Sequence, residues 1–180
     1  MGGIIIVTGP PGAGKTTVSR RLVMRLDAPR PMHMYTDDLY RYVARGLVAP
    51  WLPEAQEQNS VLMMALASSA AICAAGGFDV VVDGVVGPWF HATWRSAAVE
   101  RRVPLHYVVL MPDEATTVAR ATARTHPGAM TDADVSQRMW RNFKAARPDP
   151  AHVMDTTALD PAQTTGAVMA GIEAGRFRLA

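Results

Sequence analysis

Gly3-Ile4-Ile5-Ile6-Val7-Thr8, running straight into Gly9-Pro10-Pro11-Gly12-Ala13-Gly14-Lys15-Thr16, is the stretch on which the reading of this chain turns. The first six residues are a short apolar run of the kind that forms a buried strand. The next eight fit G-x-x-x-x-G-K-[ST], a phosphate-binding loop placed between a strand and a helix. Glycines let the backbone wrap close to phosphate oxygens where side chains would collide. The helix that follows points its N-terminal N–H groups and dipole at the anion. Lys15 then reaches the β and γ phosphates, Thr16 ligates magnesium, and Thr17 offers a hydroxyl to the α phosphate. The other reading is a Gly-rich turn that binds nothing. Lysine is scarce here, with only Lys15 and Lys144 among 18 Lys+Arg, which weighs against a chance match.

The rest of the composition sets bounds around that loop. A chain of 180 residues is read as one domain with enough length for a full core. Hydrophobic content of 49% with 19% charged residues is an ordinary globular balance. The formal charge is +2 and the arginines are scattered rather than striped, so nucleic acid is not expected as a partner. One cysteine, Cys73, excludes an internal disulfide framework and reads as a small buried residue. No apolar run is expected to approach the roughly 18–20 residues of a membrane span. The N-terminal run flows into the loop without a basic segment before it, so it is read as a first strand and not a signal peptide. A cytoplasmic enzyme, monomeric or homodimeric, is the expectation.

Along the chain, strand and helix signals alternate, which predicts a parallel sheet covered on both faces. Strands are expected at about 3–8, 33–35, 78–83, 105–110 and 151–155. Helices are expected from Lys15 to about Leu26, from Pro53 to about Ala75, from about Phe90 to Arg101, from Asp113 to about Arg124, from Thr131 to about Ala145, and from Asp160-Pro161 to near Gly175. Thr131-x-x-Asp134 resembles a capping box. The stretch His126-Pro127-Gly128 breaks the pattern between two helices.

Several positions carry chemistry. Val80-Val81-Val82-Asp83 ends a buried strand in a carboxylate placed to hold magnesium or its waters; the alternative is an Asp that caps the turn at Gly84. Asp37 follows the second strand, at the edge where open α/β sheets bind ligands. Phosphoryl transfer to a hydroxyl needs a carboxylate that orients the nucleophile and takes its proton. Asp37 is the candidate base and Asp38 the second; the alternative for Asp37 is a cap on a helix starting near Leu39. Arg120-x-x-x-Arg124 sets two guanidinium groups on one helix face, and Arg138 and Arg141 follow in the next helix. Together they read as a small helical lid, about 120–142, whose arginines neutralise transition-state charge; the alternative is a solvated helix pair. Tyr40, Arg41, Trp51, Gln58, Trp89, Phe90, His91, Trp94 and Arg95, which flank the ends of the second and third strands, are candidates for an acceptor pocket that includes the helical region 39–75, each with packing or surface as its alternative. His91 competes with Asp37 as base. Arg101 and Arg102 read as surface.

The GPPGAGKTT loop, the TDDL turn at Thr36–Leu39, the VVVDG strand end and the RxxxR segment together resemble the small P-loop kinases of the nucleoside-monophosphate-kinase-like group. That group includes gluconate and shikimate kinases, adenylate kinases and chloramphenicol phosphotransferase. The resemblance implies a three-layer P-loop NTPase fold, with a five-stranded sheet in the order 2-3-1-4-5. It also implies that Asp37 is the acceptor-side Asp, Arg120 a lid arginine near the adenine, Arg124 a phosphate contact and Arg138 the second lid arginine. Residues Thr157 to Leu159 would touch the base.

The expectation is therefore an ATP- and magnesium-dependent transfer of phosphate to a hydroxyl of a small molecule, such as a sugar acid or a hydroxylated antibiotic. Nucleotide contacts are expected from Gly9, Pro10, Pro11, Gly12, Ala13, Gly14, Lys15, Thr16, Thr17, Arg120 and Thr157. Lys15, Asp37, Arg124 and Arg138 are the expected catalytic set, with Thr16 and Asp83 on the metal. A nucleoside or nucleotide kinase is the alternative, with Arg41, Arg45 and Arg95 available for an acceptor phosphate. An ATP-binding switch without an acceptor is the other. A guanine-reading N-K-x-D is absent, and the chain is short for a ring-forming ATPase with an extra helical domain.

Overall fold

The computed structural model describes residues 2–125 and 129–180. Its centre is β1 (Ile4–Thr8), buried along its whole length and paired in parallel on both sides. A strand with neighbours on both edges and helices on both faces has no solvent side, which is why its sequence is continuously apolar rather than alternating. β2 (Pro31–Tyr35), β3 (Asp79–Asp83), β4 (Leu105–Leu110) and β5 (Val153–Met154) complete a parallel sheet in the order β2-β3-β1-β4-β5. Pro31 opens the edge strand, where a missing N–H costs nothing.

Side chains of each central strand alternate between two cores. Ile4, Ile6, Val80, Val82, Leu105 and Tyr107 face α3 (Gln56–Ala75) and α4 (His91–Arg101). Ile5, Val7, Val81, Val108 and Leu110 face Val18 and Leu22 of α1 (Lys15–Val23) and Val168 of α7 (Pro161–Glu173). A short α2 (Thr36–Arg41) follows β2 directly, and α5 (Glu114–Thr122) and α6 (Ala133–Ala145) lie between β4 and β5. The last residues close the sheet at β4. Tyr107 N–H donates to Phe177 O at 2.8 Å and Leu179 N–H to Leu105 O at 2.8 Å, and His106 pairs antiparallel with Arg178.

Several expectations are corrected. Helix α1 stops at Val23 and β5 is only two residues long, because Pro150–His152 turns as a 3-10 helix. The cap of α6 is Asp132, whose carboxylate accepts from Val135 N–H at 3.0 Å, one residue later than the expected box. Helix α5 ends at Thr122, so Arg124 lies beyond it and does not share a helix face with Arg120. Cys73 is half-buried rather than buried. The segment Pro53–Ala75 is long and apolar enough for a membrane span by length and composition, with a mean hydropathy of 1.3. In the fold Met63, Leu66, Ala67, Ala70, Ala71 and Ala74 of this segment pack into the core. The expected break at His126-Pro127-Gly128 lies outside the described residues.

Candidate active site

The parallel register levels the carboxyl ends of three strands, with Val7 and Tyr35 both opposite Asp83. Two contacts then fix the turn after β3 over the end of β1. Val86 N–H donates to Thr8 Oγ1 at 2.8 Å, and the Tyr107 hydroxyl donates to Val86 O at 2.7 Å. Gly84 lets α2 approach this turn, since a Cβ there would stand 1.8 Å from Thr36 Oγ1. The glycine thereby brings the start of α2, with Asp37, alongside the strand end that carries Asp83.

The loop 9–14 turns back through left-handed backbone and leads into α1. Gly12, at φ +96°, lies against α5, where a Cβ would meet Thr117 O at 2.0 Å. Lys15 is buried and donates from Nζ to Pro10 O at 3.0 Å. Burial lowers its pKa to about 8; Arg124 pushes the same way, while Asp83 and Asp37 oppose it. The first turn of α1 has no side-chain cap and no acidic residue, so its N–H groups stay available to an anion.

Two openings meet at this loop. The larger, about 950 Å³, is lined by residues 12–18 and by Arg120, Arg124, Thr156 and Leu159. The smaller, about 520 Å³, is lined by Asp37, Trp51, Val85, Met130 and Asp132, among others. Lys15, Thr16, Tyr35 and Arg124 line both. Arg120 is anchored by its guanidinium to the carbonyls of Thr156 and Thr157, at 3.4 and 3.2 Å, which ties α5 to the loop after β5.

Asp37 sits in the first turn of α2. The hydroxyl of Tyr35 donates to its Oδ2 at 2.8 Å and that of Thr36 to its Oδ1 at 3.2 Å. It does not cap the helix, whose N-cap is Tyr35. Asp38 pairs with Arg41 and lines the larger opening. Asp83 is fully buried, and among the described residues neither of its oxygens accepts a hydrogen bond. His33 Nε2 stands 3.5 Å from Asp83 Oδ2.

Other expected positions fall elsewhere. Arg138 is exposed on α6 and lines neither opening, because Val135, Ser136 and Phe143 set the inward face and Arg138 lies off it. Arg141 is paired with Glu114 at 3.0 Å. The hydroxyl of Thr157 is taken up by Asp155 at 2.6 Å and by Asp113 N–H at 2.8 Å, so its neighbours Thr156 and Leu159 line the opening instead. Among the acceptor candidates, Trp51 lines the smaller opening and Arg41 the larger. Tyr40 donates to Asn59, and the Gln58 amide clamps both backbone groups of Val48. Trp94 is core, Phe90 packs on the same core, Trp89 packs at a tilt against Phe143, and His91 packs edge-on against Tyr107. Arg95 is exposed. Sequence reading missed His33 and Tyr35 as site residues; the period of two in β2 places both on one face and was the available signal.

The comparisons with known proteins agree with this fold. The family profile described as an AAA domain matches residues 4–150. No curated protein matches the sequence. Among solved structures, a sugar kinase from Janibacter sp. HTCC2649 is similar at TM-score 0.71 and 16% identity, over 96% of this chain and 95% of that one. A gluconokinase from Sinorhizobium meliloti 1021 is similar at TM-score 0.69 and 19% identity, over 97% and 93%. The Deinococcus radiodurans tunicamycin resistance protein is similar at TM-score 0.68 and 15% identity, over 96% of each chain. At these identities the likeness is one of fold. The five-stranded order, the nucleotide-binding loop and the profile match over residues 4–150 establish that the chain belongs to the AAA-domain family of P-loop proteins.

Proposed function

We propose that the protein transfers the γ-phosphoryl group of ATP to a hydroxyl of a small molecule. The observation that carries this reading is the pair of openings that meet at Lys15, Thr16, Tyr35 and Arg124. A switch protein needs one opening for its nucleotide; a transferase needs a second, with a carboxylate facing the first.

The nucleotide occupies the larger opening, its phosphates against the α1 N-terminus and Lys15, with Arg120 beside the base-side loop. The acceptor occupies the smaller one. Asp37, oriented by the Tyr35 and Thr36 hydroxyls, accepts the proton of the acceptor O–H. The acceptor oxygen forms its bond to the γ phosphorus as the β–γ bridging P–O bond breaks, its electron pair leaving with the diphosphate. Lys15 and Arg124 lie where negative charge spreads during that exchange. A buried carboxylate whose oxygens accept no hydrogen bond is costly unless a cation answers it, and Asp83, near enough to Lys15 to raise its pKa, fits a magnesium site on that ground. Asp83 and the Thr16 hydroxyl would hold the ion or its waters, and the chemistry it supplies when bound is charge neutralisation on the phosphates. Much of the rate then comes from alignment of two bound reactants.

The test is ADP formation from MgATP across a panel of nucleoside monophosphates, sugar acids, polyols and hydroxylated antibiotics. Strong stimulation by one acceptor, with phosphate recovered on it, is the expected result. ATP binding with slow hydrolysis that no acceptor changes would favour the switch reading instead.

A further inference from the structure

We infer that the acceptor is a neutral or cationic hydroxyl compound with an apolar face, and that acidic acceptors are excluded by charge. This rests on the phosphotransfer reading above.

The smaller opening has two kinds of wall. Trp51, Val85, Met130 and Val135 form an apolar one, and Trp51 leaves 43% of its surface exposed. Such a wall gains only from an occupant that brings apolar surface to it. The charged groups are Asp37, Asp132, Lys15 and Arg124. The two cations also line the larger opening, so a bound triphosphate engages them. What still faces the acceptor is then a pair of carboxylates. Among the described residues no other Lys, Arg or His lines this opening. Arg41, the nearest candidate by sequence, lines the other opening and is paired with Asp38, while Arg45 and Arg95 line neither.

An anionic acceptor would therefore approach two carboxylates and the triphosphate with no free cation among the described residues to receive it, and like-charge contact in a confined cleft is repulsive. A neutral polyol meets no such penalty, and an ammonium group gains from Asp132. The site accordingly takes an amphipathic alcohol or amino alcohol in preference to a sugar acid, a nucleotide or a sulfated substrate.

The experiment uses the full chain. MgATP binding is first measured by calorimetry. Transfer is then measured with three sets of hydroxyl compounds matched in size, in which a carboxylate, a hydroxymethyl or an aminomethyl group occupies the same position, each set with and without an aryl substituent. Neutral and cationic aryl compounds should exceed their carboxylate counterparts in kcat/KM by about tenfold or more. Asp132→Asn, which keeps a good helix cap while removing the charge, should shrink that preference several-fold, chiefly through KM for the acid. If the acids are the better acceptors, or if Asp132→Asn leaves the discrimination untouched, the charge assignment is overturned while the kinase reading stands. ATP binding with no transfer to any set overturns the kinase reading, and this inference with it.

Discussion

The two sides of the cleft are built differently. The nucleotide side is built around one contiguous stretch, residues 12–18, which β2 and α2 (His33, Tyr35, Asp38, Arg41), Arg120, Arg124 and the segment from Thr156 to Thr164 complete. The acceptor side draws on Pro11, Asp37, Trp51, Gly84 and Val135, which lie on separate segments of the chain. One side is set by local backbone chemistry and the other by tertiary packing. Each should therefore fail in its own way when a single residue is changed.

The sharpest separation comes from two substitutions across the cleft. Lys15→Ala should lower kcat/KM by about 10³–10⁵-fold and weaken ATP binding with it. Asp37→Asn should lower transfer by about 10²–10⁴-fold while ATP affinity, read by calorimetry, stays within about twofold. Equal loss of ATP binding in both variants would erase the distinction between the two sides. Near-normal turnover of Lys15→Ala would remove the loop from the mechanism altogether.

Next in size is a change to the frame. Gly12→Ala puts a Cβ 2.0 Å from Thr117 O at a left-handed φ, so the loop must leave α5. A loss of at least about 2 kcal/mol in denaturant unfolding is expected, together with weakened ATP binding. Unchanged stability would mean that loop and helix part without cost.

A smaller effect is a proton. The bare protein's Lys15 pKa is near 8, lowered chiefly by burial. Since the unfolded chain holds its lysine protons to higher pH, Lys15 costs the bare fold stability below about pH 8, and this cost fades as pH rises from there towards 10.5. A bound triphosphate restores the charged form. Nucleotide binding should then take up about half a proton at pH 8 and almost none at pH 6.5. Calorimetry in buffers of different ionisation enthalpy measures this, and proton release at pH 8 would contradict it. The smallest effect belongs to Arg138→Ala. The residue is exposed and outside both openings, so kcat/KM should change by less than about twofold; a hundredfold loss would bring α6 back over the phosphates.

The same contrast explains what could be read in advance. The sheet order came from a resemblance anchored on the loop, and the strands from apolar runs such as Leu105–Leu110, whose bounds hold as expected. Asp37 and Asp83 were singled out because one follows a strand and the other ends one, at the edge where such folds bind ligands. Trp94 and Trp51 were not distinguishable in sequence; Trp94, on α4, is core and Trp51, in the loop before α3, borders a cavity, and only tertiary packing decides which. Arg138 and Arg124 raise a similar problem. Spacing gives a helical angle, but the rotation of α6 and the early end of α5 set where those side chains go.

The antiparallel tail at β4 has a practical consequence. Leu105–Tyr107 run past the two residues of β5, and Phe177 to Ala180 supply the bonds that β5 does not reach. Trimming those four residues would bare a stretch of apolar strand with unpaired amides and carbonyls, which is a template for another chain. A shortened protein should thus become sticky before it becomes inactive, because the edge it exposes lies at the amino end of β4 and the cleft opens at the other.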